Sequence, residues 1–221
     1  MSRNSTALLS LPLAVALIAL ACGSDPASPS AESRAGAAAL SPLLAAAAAD
    51  SPHFIQAAVG APAIANPVVS FYAKRGVDRE AFMYYKSRPG QFDSTVFVRF
   101  RVPKRSLAFR PDGTPFAPGD SILITMTLVD TVHLEVDFQP AGLVFSTRDP
   151  AKLKMSFLEA DKDLNNDGVV NRIDARLQRR LALWKRELST DPWTKQASVV
   201  SVISHEVESY VGGFTSYLIA W

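Results

Sequence analysis

The sequence has little cysteine, no large excess of charge of one sign, and no aromatic residue before position 54. Its 221 residues include one cysteine, Cys22, which excludes an internal disulfide and any metal site built from several cysteines. Lysine and arginine number 23 against 21 aspartates and glutamates, so no concentrated basic charge is available for phosphate groups. We therefore expect no nucleic-acid partner.

Large and charged side chains are scarce before residue 67. No aromatic residue precedes Phe54, and the first 66 residues hold five charged residues and 21 alanines. Tightly packed cores need large side chains. The composition therefore predicts a packed domain over residues 67–221, preceded by a disordered Ala/Ser/Pro-rich tether over residues 22–66.

The first residues are typical of an export signal. Arg3 precedes an apolar stretch over residues 7–21, which is shorter than the roughly 20 residues that a transmembrane helix needs. The stretch ends in Ile18-Ala19-Leu20-Ala21-Cys22-Gly23, which resembles the lipobox of bacterial lipoproteins. The resemblance implies a signal peptide over residues 1–21 and a Cys22 that becomes the acylated N-terminus.

A lipid on Cys22 would attach the protein to the bacterial cell envelope. Several acyl chains on one residue meet the requirement that stable anchoring takes more than one lipid signal. Gly23 after the cysteine implies, by the same resemblance, sorting to the outer membrane where the cell has one. The alternative is an ordinary signal peptide cleaved near Ala21, with Cys22 incidental.

Alternating apolar and polar residues indicate a mainly β domain. Such alternation places one set of side chains on a core and the other in water. Turn residues such as Pro118-Gly119-Asp120 and Gly212-Gly213 separate the segments. We therefore expect an antiparallel β-sandwich. Its predicted strands include residues 95–102, 121–129, 131–138, 153–157, 198–203 and 214–221.

One segment has helical spacing instead. Apolar residues three and four positions apart predict an α-helix over residues 173–188, namely Ile173, Leu177, Leu181, Trp184 and Leu188. Five arginines occupy its other side: Arg172, Arg176, Arg179, Arg180 and Arg186. We interpret them as a solvated face. A surface that attracts anionic headgroups is the alternative.

A second resemblance covers part of this domain. The segment 119–157, with Phe214-Thr215-Ser216-Tyr217 near the end, resembles the ZU5-type β-sandwich of some exported bacterial proteins. Some ZU5 domains cleave themselves at a His-Phe-Ser sequence. Here Gly213-Phe214-Thr215 lacks the histidine, so we expect no autoproteolysis.

Residues 163–174 have the pattern of a calcium-binding loop. Such a loop places oxygen ligands at positions one, three, five, seven, nine and twelve, with a glycine at six for the sharp turn. Gly168 stands at position six. The predicted Ca²⁺ ligands are Asp163, Asn165, Asp167, the Val169 carbonyl, Asn171 (through water) and Asp174.

An aspartate at position twelve resembles the calcium loops of dockerin modules more than those of EF-hand sensors. Dockerins carry two such loops in tandem and this sequence has one, so we expect a structural calcium site without cohesin pairing. The alternative needs no metal: Asn171 could cap the helix with Asp174 at its third position, as a capping box. That alternative leaves Asp163, Asn165 and Asp167 unexplained.

Two other groups of polar residues are weaker candidates for a metal site or an acid–base pair. His133, Glu135 and Asp137 share one predicted strand face and could hold a transition metal, although a solvated face is the simpler interpretation. His205 with Glu206 and Glu208 could supply an acid–base pair. The sequence has no Gly-x-Ser-x-Gly, His-Glu-x-x-His or Gly-rich phosphate motif.

These patterns favour a lipid-anchored envelope protein with a non-enzymatic role: surface binding, adhesion or scaffolding. Its partner would be the membrane through Cys22, together with a protein or glycan at the cell surface. The alternative function is a lipid-anchored hydrolase that uses His133 or the region of His205, Glu206 and Glu208.

Overall fold

The computed structural model describes residues 51–90 and 95–221. The predicted signal peptide, Cys22 and the tether up to residue 50 lie outside these residues. The described part is mainly β, an antiparallel β-sandwich with one inserted loop and one short helix.

Thirteen strands and one helix follow one another along the described residues. They are β1 (Val68–Lys74), β2 (Arg79–Tyr84), β3 (Val96–Val102), β4 (Leu107–Phe109), β5 (Ser121–Asp130), β6 (Glu135–Gln139), β7 (Val144–Phe145), β8 (Ala151–Ser156), α1 (Arg172–Gln178), β9 (Ala182–Arg186), β10 (Thr194–Lys195), β11 (Ser198–Ser201), β12 (Glu206–Val211) and β13 (Ser216–Ala220).

Two larger sheets and one strand pair form the sandwich. The first sheet has the strand order β1-β5-β6-β13-β9-β10, and the second has the order β11-β12-β8-β3-β2. Strands β4 and β7 form the separate pair. Each larger sheet therefore joins strands that are distant in sequence, as β13 does between β6 and β9.

Aromatic rings fill the space between the two sheets. Phe100 of β3 lies 5.1 Å from Phe138 of β6, measured between ring centroids, so the two sheets contact each other directly. Phe214 packs against both rings, at 5.5 and 5.4 Å. Packed aromatic pairs of this kind stabilise a core beyond the area they bury. The core therefore needs no disulfide.

The predicted alternation is confirmed in the central strands. In β3, Phe100 and Val102 are buried while Arg99 and Arg101 are exposed. In β5, Ile124 and Met126 are fully buried. Period-two patterning is therefore a sound guide where one sheet face meets the core and the other meets water.

The predicted strand over residues 131–138 is wrong in its first half. Residues 131–134 form the turn between β5 and β6, and Leu134 adopts a positive φ of 57°. Val132, predicted to face the core, is 52% exposed at this turn. The strand begins only at Glu135, because the turn has to reverse the chain between two paired strands.

The helix predicted over residues 173–188 is also wrong in its second half. Helix α1 ends at Gln178, and residues 182–186 form β9, which pairs with β13. Strand β9 is buried on both sides: Leu183 contacts the main core, and Trp184 packs in a second cluster on the outer side of the sheet. No helix among the described residues is long and apolar enough to cross a membrane.

The folded domain begins before Pro67, so the predicted boundary of the tether is wrong. Ile55 is 3% exposed and belongs to the main core. Its backbone N–H donates to the Ile219 carbonyl at 3.3 Å, and Ala57 forms a bridge with Ala160. The composition did not reveal this boundary, because the segment is rich in alanine although Ile55 and Phe54 both pack against the sandwich.

Candidate functional site

The loop 163–174 lies between β8 and α1, and its acidic side chains bind the loop's own backbone. The Asp163 carboxylate accepts hydrogen bonds from the N–H groups of Asp167 at 3.2 Å and Gly168 at 2.7 Å. The Asn165 amide donates to the Asp167 carboxylate at 2.8 Å. The residues at loop positions one, three and five are therefore held around the same tight turn.

Glycine is required at position six of this loop. Gly168 has a φ of 83°, in the left-handed region that side-chain-bearing residues rarely adopt. Asn166 two residues earlier has a φ of 55°, which asparagine tolerates better than most residues. The loop therefore makes the sharp turn that the sequence pattern predicts.

Asp174 closes the loop by joining its end to its beginning. One carboxylate oxygen accepts from the N–H of Leu164 at 2.9 Å, and the other accepts from the N–H of Asn171 at 2.8 Å. The bond from Asn171 lowers the pKa of Asp174 most; burial raises it, and the bonds from Leu164 and Asn165 lower it further. The pKa of Asp174 therefore lies below its usual value.

The capping box that was the metal-free alternative is present. The Asn171 side chain accepts from the N–H of Ile173 at 2.6 Å, and Asp174 returns the bond to the backbone of Asn171. These contacts account for two of the six candidate ligands. The capping box does not involve Asp163, Asn165 or Asp167, so it does not explain why these three polar residues are grouped around the turn.

The oxygen atoms of the loop fit calcium in chemical type. Calcium prefers carboxylate, amide and backbone oxygens, and an oxygen that accepts one N–H keeps a further lone pair. Asp174 fits less well than the others, since it is 3% exposed and both its oxygens accept backbone N–H groups. Within residues 51–90 and 95–221, no three His, Cys, Asp or Glu side chains are grouped as a metal site. Calcium would therefore depend on the amide and carbonyl oxygens as well.

The loop is attached to both ends of the described chain. The Trp221 indole donates to the Leu164 carbonyl at 3.3 Å, and its ring stacks on His53 with centroids 4.1 Å apart. The N–H of Asp161 donates to the Gln56 carbonyl at 2.8 Å. The start of the loop is therefore fixed to the sandwich rather than projecting from it.

A cavity of about 260 Å³ separates the loop and α1 from the sandwich. Phe157, Leu164 and Leu181 give it apolar walls, and His205 lies at its edge. His205 also packs edge-on against Phe157, with centroids 5.6 Å apart. The volume is slightly below the range of about 300–1,000 Å³ that is usual for small-molecule sites.

The structure does not join His205 to Glu206 and Glu208 as an acid–base group. Glu206 binds Lys154 at 3.1 Å and Glu208 binds Lys152 at 2.7 Å, on the outer face of the second sheet. Burial raises the pKa of Glu208, but its bonds to Lys152 and Lys154 outweigh this effect and lower it. Lysine-paired carboxylates of this kind are typical of a solvated sheet face.

His133, Glu135 and Asp137 do not share one strand face as predicted. His133 lies in the turn, and its Nδ1 is 2.8 Å from the Asp130 carboxylate. Glu135 is buried and binds Arg186, while Asp137 accepts from Ser216 at 3.2 Å. The three side chains therefore have separate partners and do not form the transition-metal site considered from the sequence.

The pairing of Glu135 with Arg186 was missed by the sequence reasoning. Helical spacing predicts a solvated position for Arg186, but the residue lies in β9 and its guanidinium also stacks over Trp193 at 4.6 Å. A buried acid such as Glu135 needs a cation. No local signal identifies that cation, because the two residues are 51 positions apart.

Comparison with known proteins yields no family, curated protein or solved structure that matches this chain. The fold is therefore established as an antiparallel β-sandwich by the structure alone. The resemblances to lipoproteins, to dockerin loops and to ZU5 domains stay predictions.

Proposed function

We propose that the protein is a lipid-anchored component of the bacterial cell envelope, attached through Cys22. Its β-sandwich serves as a non-enzymatic binding or scaffolding module for a protein or glycan at the cell surface. A Ca²⁺ ion in the loop 163–174 has a structural role and is not a catalytic cofactor.

The closed form of the loop is the observation that supports calcium binding. Asp163 reaches the backbone of Gly168, and Asp174 reaches that of Leu164, so the first and last candidate ligands enclose the turn. Asp163, Asn165, Asp167 and the Val169 carbonyl would supply most of the ligands, with Asn171 through water. The ion would neutralise carboxylates that otherwise repel one another.

Calcium should raise the thermal stability of the protein. A ligand at ten times its Kd adds about 1.4 kcal/mol, which corresponds to about 3–6 °C in melting temperature for a domain of this size. Magnesium should have a smaller effect, because it demands a tighter octahedral shell. Thermal unfolding with 10 mM of either metal measures the difference.

Two double variants decide whether this loop is responsible. Asp163→Ala with Asp167→Ala should abolish the calcium response and leave the protein folded. Asp78→Ala with Asp112→Ala removes the same charge from exposed turns elsewhere and should leave the response intact. A calcium response that survives the first pair would place the ion at another position.

The anchor is tested separately by mass. Expressed in a bacterial host, the wild type should lose residues 1–21 and gain the mass of its acyl groups, and it should partition into detergent. Cys22→Ser should remain unacylated and, once residues 1–21 are removed, partition into the aqueous phase. Equal partition and equal mass, apart from the substituted atom, would contradict the anchor and leave the calcium result unaffected.

A further inference from the structure

Four exposed apolar side chains lie on the loop 163–174 and on the turn between β11 and β12. Val169 and Val170 are 60% and 61% exposed, Ile173 at the start of α1 is 49% exposed, and Ile203 is 95% exposed. Ile203 lies in the turn between β11 and β12, two residues before His205, which lines the same cavity as Val170. Exposed apolar residues grouped in this way mark a surface that contacts a partner or a membrane.

Arginines accompany these apolar residues. Arg172, Arg176, Arg179 and Arg180 are all exposed, and the ion pairs between described residues include none of the four. Arg179 and Arg180 line an open groove with Lys195, and no acidic side chain lines it. The groove therefore offers unneutralised positive charge just past the C-terminal end of α1, the helix that carries Ile173 in its first turn.

The same end of the domain lies next to the start of the described chain. His53 stacks on Trp221, whose indole binds the Leu164 carbonyl in the calcium loop. Cys22 precedes His53 by about thirty residues, and the tether predicted from their composition would span roughly 30 Å as a random coil. A lipid on Cys22 would therefore keep this end within reach of the bilayer.

We propose that this end of the domain docks on an anionic membrane surface. Val169, Val170, Ile173 and Ile203 enter the headgroup region, and the arginines of α1 and its C-terminal end contact lipid phosphates. The argument from the tether rests on the proposed anchor, whereas the charge and the exposed apolar side chains do not. Calcium in the loop would favour docking, because it neutralises Asp163 and Asp167 beside the patch.

Vesicle co-sedimentation of the mature chain, residues 22–221 carrying Cys22→Ser, tests this docking without any acyl group and without the apolar stretch of the signal peptide. Vesicles of phosphatidylcholine alone are compared with vesicles containing 30% phosphatidylglycerol, with 1 mM Ca²⁺ throughout. The chain that carries Cys22→Ser alone, called the background chain, should bind the anionic vesicles more tightly than the neutral ones. Adding Arg176→Ser, Arg179→Ser and Arg180→Ser should weaken that binding by about a hundredfold, given the contribution of each cation near an anionic surface.

A matched variant removes three cations from a different groove. Lys104, Arg105 and Arg148 line an open groove with Arg75, and their substitution by serine should leave vesicle binding within about twofold of the background. Equal losses in the two triple variants would overturn the proposal, because the attraction would then depend only on net charge. Equal binding to neutral and anionic vesicles would overturn it too.

Single substitutions test the apolar contribution. Ile203→Ser should lower binding to the anionic vesicles several-fold, whereas Val132→Ser, in the turn between β5 and β6, should not. Both residues are exposed, so neither change should affect folding. If Ile203→Ser binds the vesicles as tightly as the background chain does, the turn does not enter the headgroup region and the proposal is wrong on this point. Each result is independent of whether Cys22 is acylated in the cell.

Discussion

Glu135 and Arg186 show what single residues contribute to this fold. Arg186 Nη2 lies 2.8 and 3.0 Å from the two Glu135 carboxylate oxygens, and the Glu135 side chain is 9% exposed. The pair joins β6 to β9 across β13. Removing one partner of a buried pair leaves the other charge uncompensated, which costs more than the pair itself contributes.

Arg186→Met should therefore destabilise the domain by about 2–4 kcal/mol, measured by urea unfolding. The neighbouring Lys185–Glu187 pair is a suitable control, since Glu187 is 61% exposed. Glu187→Gln should cost less than about 1 kcal/mol, as is usual for exposed pairs. Similar losses in the two variants would contradict the role given to the Glu135–Arg186 pair.

The contribution of Asp174 to the free energy of unfolding should depend on pH. Its lowered pKa means that the ionised form is stabilised in the folded state, so this stability is present above the unfolded pKa near 3.9 and is lost as pH falls through the folded pKa. In metal-free buffer, the difference in unfolding free energy between wild type and Asp174→Asn should be largest near pH 6. It should shrink below about pH 3.5. A difference that is constant from pH 6 to pH 2.5 would contradict the assigned hydrogen bonds.

The individual elements could be predicted from the sequence where one side of the chain faces water. The later part of β3 and the centre of β5 alternate, and the core residues predicted there are buried, namely Val98, Phe100, Val102, Ile124 and Met126. Strand β9 could not be predicted, because Leu183 and Trp184 are both buried and a short, continuously apolar segment has no period of two. Its pairing with β13 overrides the helical spacing of the apolar residues.

The segment before β1 should contribute to the stability of the domain. Ile55→Ala should destabilise the domain by about 2–4 kcal/mol, the usual cost of truncating a buried isoleucine, since Ile55 is 3% exposed. Ile203→Ala, at a residue that is 95% exposed, should change stability by less than about 0.5 kcal/mol. Denaturant unfolding of both variants measures the contrast. A negligible effect of Ile55→Ala would restore the domain boundary near Pro67.

In the whole molecule, the loop 163–174 is part of the sandwich and not an appendage. The loop begins beside Trp221 and His53 and ends in a helix whose Leu177 is buried. The sequence pattern alone could locate the loop and its glycine, because both are local features. It could not place the loop against Trp221, since that contact joins residues 57 positions apart.

The most direct test of the account is a calorimetric titration of the metal-free protein with Ca²⁺. On the proposed function, the loop 163–174 should bind one ion with a Kd on the order of 10⁻⁴–10⁻³ M, as extracellular calcium modules do. We predict a one-site isotherm in the wild type that is absent in the Asp163→Ala, Asp167→Ala variant. No heat of binding and no change in melting temperature up to 10 mM Ca²⁺ would contradict the account and leave the capping box as the sole role of the motif.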